Sequence, residues 1–218
     1  MKSRHKQYMV LGLGRFGASV ATTLFSLGNE VLAIDSDAEN VNDVAPHVTQ
    51  AMQMDATDET ALASLGVRNF DAAIVCIGEN LRDSILVCVL LKEMGVRKLV
   101  AKATDDLHAK VLTKIGVDRV IFPERDMGQR IAHSLYMPGI LDLMTLNGDY
   151  RLIDVLTPEG WLGRSIAQID VRRKYGLTII AIHRGKEYVV SPTPDETFAK
   201  GDSLLVLGRE ADIERLEA

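Results

Sequence analysis

Gln7-Tyr8-Met9-Val10-Leu11 is an apolar run that opens into Gly12-Leu13-Gly14-Arg15-Phe16-Gly17, and Ala18 to Leu24 then has helical character. Strand, tight Gly-x-Gly-x-x-Gly turn and helix N-terminus in that order leave few folds open. The first glycine permits the turn, the second lets a diphosphate come close to the backbone, and the third lets helix pack on strand. Unpaired N–H groups and the positive end of the helix dipole then favour an anion. Downstream, Leu27-Gly28-Asn29 ends the helix, Glu30 to Ile34 is a second strand, and Asp35 closes it. An acid at that offset accepts hydrogen bonds from ribose hydroxyls and repels a 2′-phosphate. The pattern therefore points to an adenine nucleotide other than NADP, with a Gly-rich structural turn as the other reading.

The rest of the first half repeats the unit. Helix signals follow at Ser36 to Val44, with Ser36 or Asp37 as cap, and a strand at Val48 to Met54 runs into Asp55-Ala56-Thr57-Asp58. A helix covers Glu59 to Leu65. Asp71-Ala72-Ala73-Ile74-Val75-Cys76-Ile77-Gly78 is a continuous apolar strand of the buried parallel kind. Asn80 to Met94 is a long helix with Ile85, Leu86, Val89, Leu90 and Met94 on one side. Lys98 to Ala103, a helix from His108, Arg119 to Phe122 and a helix from Asp126 to Tyr136 complete the series. Alternating strands and helices mean an α/β fold with a Rossmann-like, doubly wound parallel sheet, and the ligand belongs at the carboxyl ends of its strands. Ile77, Gly78 and Lys102 occupy such ends and are candidate contacts, Lys102 either reaching phosphate or standing solvated.

Pro138-Gly139 breaks the pattern. From Tyr150 onward there is a strand to Leu156, a short helix at Ser165 to Ile169, a hairpin of Thr178 to His183 with Glu187 to Val190, a strand at Ser203 to Gly208 and a closing helix at Ala211 to Leu216. This describes a small α+β unit, so the domains are expected at 1–140 and 141–218.

Composition narrows the class. A formal charge of −5 and no Lys/Arg stripe argue against nucleic acid as a partner. No stretch is long and apolar enough for a membrane span, and the basic start before Gln7 does not lead into a signal peptide, so a cytoplasmic protein is expected. Cys76 and Cys88 lie in apolar runs without a C-x-x-C and are expected as buried thiols. His47, His108, His133 and His183 are scattered and are expected on the surface or internally satisfied. The alternative is an NAD-dependent oxidoreductase or an NAD(H)-sensing regulator, with NAD as ligand; against the enzyme, the part after Pro138 is short for a substrate domain and offers no His/Lys/Asp set for hydride chemistry. No catalytic residue is assigned.

The sequence resembles, over essentially its whole length, the cytosolic regulatory subunits of bacterial potassium-uptake channels, the KtrA/TrkA group built from RCK domains. The likeness is carried by Gly12 to Gly17, Asp35, Asp55 to Asp58, Asn80, Gly116-Val117-Asp118-Arg119-Val120-Ile121-Phe122-Pro123-Glu124, Arg172 to Gly176 and Ser191-Pro192-Thr193-Pro194. It implies ATP or ADP as ligand, a homo-oligomer (a dimer, and beyond it an octameric ring) and a membrane potassium channel or transporter subunit as partner, with the protein held at the inner face of the membrane by that partner. Residue by residue, Gly12, Leu13, Gly14, Arg15, Phe16 and Gly17 fall on the phosphate turn, Asp35 on the ribose, and Asp55, Ala56 and Thr57 on the loop facing the adenine. Arg15 is placed to fork onto a terminal phosphate, or is a surface arginine. Glu124 falls near the family's dimer interface, where Mg²⁺ or Ca²⁺ bridging two copies and a solvated helix start are both open. Asp170-Val171-Arg172 and Thr178 to Ile182 resemble the cyclic di-AMP segment of some relatives, which makes Arg172 and Ile180 second-domain candidates, with interface core as the other reading.

Overall fold

A computed structural model describes residues 5–78, 80–136, 140–146 and 148–216. By packing, the chain divides into Met1–Pro123 and Glu124–Ala218.

The first unit runs β1 (Gln7–Leu11), α1 (Arg15–Ser26), β2 (Glu30–Asp35), α2 (Ala38–Val44), β3 (Gln50–Gln53), α3 (Glu59–Ser64), β4 (Ala72–Val75), α4 (Leu81–Glu93), β5 (Leu99–Lys102), α5 (Asp106–Ile115) and β6 (Arg119–Ile121). Its six strands are parallel in the order β3-β2-β1-β4-β5-β6. The order reverses between β1 and β4, so a crevice opens at their carboxyl ends. Strand alternation divides the core between the two faces. Met9, Leu11 and Ile34 pack with Leu62, Val87, Cys88, Leu91 and Leu112 on one. Val10, Val31 and Ala33 pack with Ala21, Val41 and Val44 on the other. Short polar side chains start the helices: Asp37, Asp58, Asn80 and Asp105 each accept backbone N–H groups of α2, α3, α4 and α5.

One expected face differs. The seam that α4 buries is Ser84, Val87, Cys88 and Leu91 with Leu90, whereas Leu86 is 37% exposed. Leu90 is buried and Met94 packs against the core as expected, but the helix is apolar on both sides, so helical spacing alone does not single out Ser84, Val87, Cys88 and Leu91. Burial pushes the thiols of Cys76 and Cys88 up to about 12, as buried thiols require.

The second unit contains α6 (Pro123–Tyr136), β7 (Ile140–Thr145), β8 (Tyr150–Leu156), α7 (Ile166–Ile169), α8 (Val171–Tyr175), β9 (Thr178–Arg184), β10 (Glu187–Val190), β11 (Ser203–Arg209) and α9 (Glu210–Ile213). Its antiparallel strands lie in the order β10-β9-β11-β8-β7, over a core of Ile153, Trp161, Ile182, Phe198 and Leu204. β7 was not expected, because Ile140-Leu141-Asp142-Leu143-Met144 lacks strict alternation. α8, over Val171–Tyr175, is likewise an element that was not expected. The long helix opens at Pro123 rather than Asp126, since proline is at home in a first helical turn.

Candidate functional site

At the reversal of strand order, Gly12 leaves β1 with φ +91°, and its N–H donates to the Ile34 carbonyl at 2.9 Å. A Cβ there would stand 2.9 Å from the Ile77 nitrogen, so the loops after β1 and β4 touch backbone to backbone. Gly17 is tighter, because a Cβ would fall 1.8 Å from the Gly12 carbonyl oxygen. Gly14 is the contrast. It is the N-cap of α1 with an ordinary φ of −58°, and a Cβ on it would meet nothing within 4 Å. No side chain caps α1, and its first turn holds no acid. The helix start is thus open and positively polarised, with Arg15 exposed on its first turn and Leu13 and Phe16 flanking it.

Asp35 ends β2 beside this turn. One carboxylate oxygen accepts the Leu13 N–H at 2.5 Å and the other the Asp37 N–H at 2.9 Å. The residue therefore ties the glycine turn to the β2 end as well as presenting remaining lone pairs outward. Nothing local in the sequence signals that tie, which spans 22 positions. Across β3, Asp55 turns its carboxylate onto Thr57, accepting from both its N–H (2.8 Å) and its hydroxyl (2.7 Å); these bonds hold its pKa below the usual carboxylate range. Ala56 is buried beneath it. The loop is thereby pre-formed, and what it offers a ligand is backbone and edge.

Lys102, the last residue of β5, brings its ammonium within 3.3 Å of where a Cβ on Gly78 would sit, and its charge bears on Cys76. Gly12 to Gly17, Asp35, Ile77, Gly78 and Lys102 thus converge on the carboxyl ends of β1, β2, β4 and β5, with Asp55 to Thr57 on the loop following β3. A cavity of about 330 Å³ elsewhere in this unit lies at the opposite, amino ends of the strands, lined by Gln7, Glu30, Gln50 and Phe70. It lacks a helix N-terminus and a cation, so its size does not make it the anion site.

The second-unit candidates do not converge in the same way. Arg172 is exposed on α8, whereas Ile180 is the extra residue of a bulge in β9, since Ala181 and Ile179 pair with Leu205 and Val206. Glu124 is exposed in the first turn of α6. No cluster of three or more potential metal ligands occurs among the described residues. Among the histidines whose side chains are described, which leaves out His133, one differs from expectation: His108 is 1% exposed, yet its Nε2 has no partner. His183 stacks on Tyr188, with ring centroids 4.4 Å apart.

The model of the TrkA-N domain matches residues 8–123, and that of the TrkA-C domain residues 151–218. The Ktr system potassium uptake protein C of Bacillus subtilis (strain 168) is 44% identical over 212 residues, which is 97% of this chain and 96% of the relative. The Ktr system potassium uptake protein A of the same organism is 42% identical over 214 residues, 98% and 96% of the two. Among solved structures, the GsuK channel superposes with a TM-score of 0.69 at 15% identity, covering all of this chain and 40% of that one. The likeness at that identity is one of fold.

Proposed function

This chain belongs to the family of potassium-uptake proteins built from a TrkA-N and a TrkA-C domain, and we propose that it is a nucleotide-gated regulatory subunit without chemistry of its own. ATP or ADP occupies the first unit and biases the control of K⁺ flux by a membrane partner. The observation that carries this reading is the unobstructed start of α1 over Gly14, set at the reversal of strand order with Asp35 alongside. Phosphates lie on the N–H groups of the turn, and the ribose meets Asp35. The adenine meets the loop of Asp55, Ala56 and Thr57, while Ile77, Gly78 and Lys102 close the far side. No helix among the described residues is long and apolar enough to cross a membrane. In this reading the relatives' role in potassium uptake places flux control in a membrane subunit that the protein meets at the inner face of the membrane. NAD(H) is the competing ligand. Mass spectrometry of the nucleotide released from the purified, denatured protein distinguishes them: ATP or ADP supports this reading, whereas NAD(H) overturns it in favour of an NAD(H)-sensing regulator or an oxidoreductase.

A switch between ATP and ADP needs a group that tells them apart, since a ligand shifts an equilibrium only by differential affinity. The glycine turn and Asp35 meet what the two share, so the γ-phosphate falls to Arg15. A charge-assisted bond of this type contributes roughly 1.5–3 kcal/mol, about ten- to a hundredfold in affinity. Arg15→Ala is expected to keep ADP binding and lose that much ATP preference in titration calorimetry. Equal loss of both nucleotides would place Arg15 on the shared phosphates instead.

Assembly follows from apolar faces. On α6, Met127 and Leu135 are 50% and 78% exposed, and Leu107 on α5 is 69% exposed, more than isolated helix faces usually leave bare. We assign these faces to copies of this chain, a dimer at least and an octameric ring in the full assembly, with Glu124 and a Mg²⁺ or Ca²⁺ ion at the α6 contact. Met127→Lys combined with Leu135→Lys is expected to reduce the mass seen by light scattering at micromolar concentration. An unchanged mass would remove α6 from the interface. Cyclic di-AMP near Arg172 and Ile180 is carried by the resemblance alone.

A further inference from the structure

His108 lies in the first turn of α5 and makes a reciprocal cap there. The Asp105 carboxylate accepts the His108 backbone N–H at 2.8 Å, while the Thr104 backbone N–H donates back to His108 Nδ1 at 3.3 Å. A ring nitrogen that accepts carries no proton, so the proton of the neutral imidazole sits on Nε2, which is buried without a partner. Thr104 Oγ1 is also 3.3 Å from Nδ1. The neutral ring therefore accepts from the N–H, but a ring protonated at Nδ1 can only donate, and the hydroxyl is then its single usable neighbour. Protonation thus expels the Thr104 N–H. That turn follows directly on Lys102, the residue whose ammonium stands beside Gly78.

We propose that His108 is a proton-sensitive latch on the β5–α5 turn, whose opening in mild acid displaces Lys102 and weakens nucleotide binding. The second half of this proposal rests on the nucleotide reading of the first unit; the first half does not. Burial of the ring holds the His108 pKa below its ordinary value, and the nearby Asp105 charge opposes that shift. The elements packed most closely against α5 are α4 and β6. Their charged groups are Arg82, Asp83, Lys92 and Glu93 on the first and Arg119 on the second, and Asp105 is the charge that bears on the ring. A group whose folded value lies below its unfolded value of about 6.5 costs stability as pH falls below 6.5 and nothing above it. The latch is therefore closed at neutral pH and loosens as pH falls below about 6.5.

The test compares the full chain with His108→Asn, whose side-chain oxygen can take the place of Nδ1 but cannot titrate. ADP affinity is measured by calorimetry at pH 7.5 and pH 5.5. Protonation of the ligand's own terminal phosphate is common to both proteins and cancels. Wild type is expected to lose up to about tenfold more affinity than the variant over this interval, the limit for one group with an open-state value near 6.5. Equal losses overturn the coupling. Independently, ¹⁵N NMR of the wild-type ring is expected to show an unprotonated Nδ1 at pH 7.5, with the Thr104 amide shifting as the ring titrates below 6.5. A ring titrating at its ordinary value with a silent Thr104 amide overturns the latch itself. Should neither protein bind ADP at either pH, the site reading fails and the coupling with it, while the ring titration still decides the latch.

Discussion

Gly14→Ala is expected to lower ADP affinity by more than a hundredfold while leaving the stability of the fold unchanged or slightly raised. The two halves of that result have separate causes. In the protein alone, the added methyl would meet nothing within 4 Å, and the φ of −58° suits alanine. Removing glycine's freedom from the unfolded chain then stabilises by about 0.4–1 kcal/mol. With ligand present, the same methyl fills the space over the open N–H groups of α1. Losing two charge-assisted contacts of roughly 1.5–3 kcal/mol each exceeds a hundredfold in affinity. The neighbouring glycines cannot give this separation. At Gly17 the new Cβ would lie 1.8 Å from the Gly12 carbonyl, and at Gly12 the positive φ adds strain, so both replacements unfold the turn before binding is tested. Calorimetry with ADP and urea denaturation on one preparation decide the matter. Unchanged affinity in Gly14→Ala would mean that no phosphate lies over α1.

That contrast among the three glycines marks where sequence stops being informative. The motif announces a strand–turn–helix, and the spacing to Asp35 announces the next strand. The parallel sheet was legible because apolar runs alternate with helices that end at glycines, Gly116 capping α5 in the left-handed conformation. The sequence does not say which glycine is spaced for the protein's own backbone and which leaves room for something else. Nor does it show that the Asp35 carboxylate is already bonded to Leu13 and Asp37, a consequence of β1 and β2 lying side by side. An Asp35→Ala replacement would therefore loosen the turn as well as remove the proposed ribose acceptor, and Asp35→Asn separates the two better. The α4 seam was only partly legible because Leu81, Ile85 and Leu86 offer a second apolar stripe, more exposed than the buried one. His108 was unreadable for a different reason. Its burial depends on α5 packing against α4, and one histidine in an amphipathic helix gives no sign of which side it takes.

Arg184→Ala is expected to destabilise the second unit by about 3 kcal/mol at pH 7, with the penalty shrinking in acid. Arg184, at the end of β9, donates through Nε to Asp202 Oδ1 at 3.0 Å and through Nη2 to Oδ2 at 2.8 Å. It also donates to Glu196 at 3.1 Å and to the Thr197 carbonyl at 2.9 Å. Asp202 is 1% exposed and further accepts the Ala199 N–H at 2.8 Å. The guanidinium thus pins the strap between β10 and β11. That strap in turn supplies carbonyls of Pro194, Glu196 and Phe198 to the N–H groups of Ala167, Ile166 and Gly163 around α7. Wild-type Asp202 is held below the usual carboxylate range, chiefly by the Arg184 hydrogen bonds. Its contribution is therefore present above the ordinary value near 3.9 and is lost as pH falls through the folded value. Without Arg184 the sign reverses: a buried carboxylate lacking its cation is driven upward by desolvation, so the variant loses stability as pH rises from 4 to 7. Arg184→Ala with Asp202→Asn removes the stranded charge and is expected to recover part of the loss. Trp161, the single tryptophan of the sequence, sits in this core 5.5 Å from the Phe198 ring, so its fluorescence follows the second unit alone during urea denaturation. If the penalty for Arg184→Ala is the same at pH 4 and pH 7, the ion pair is not what holds the strap.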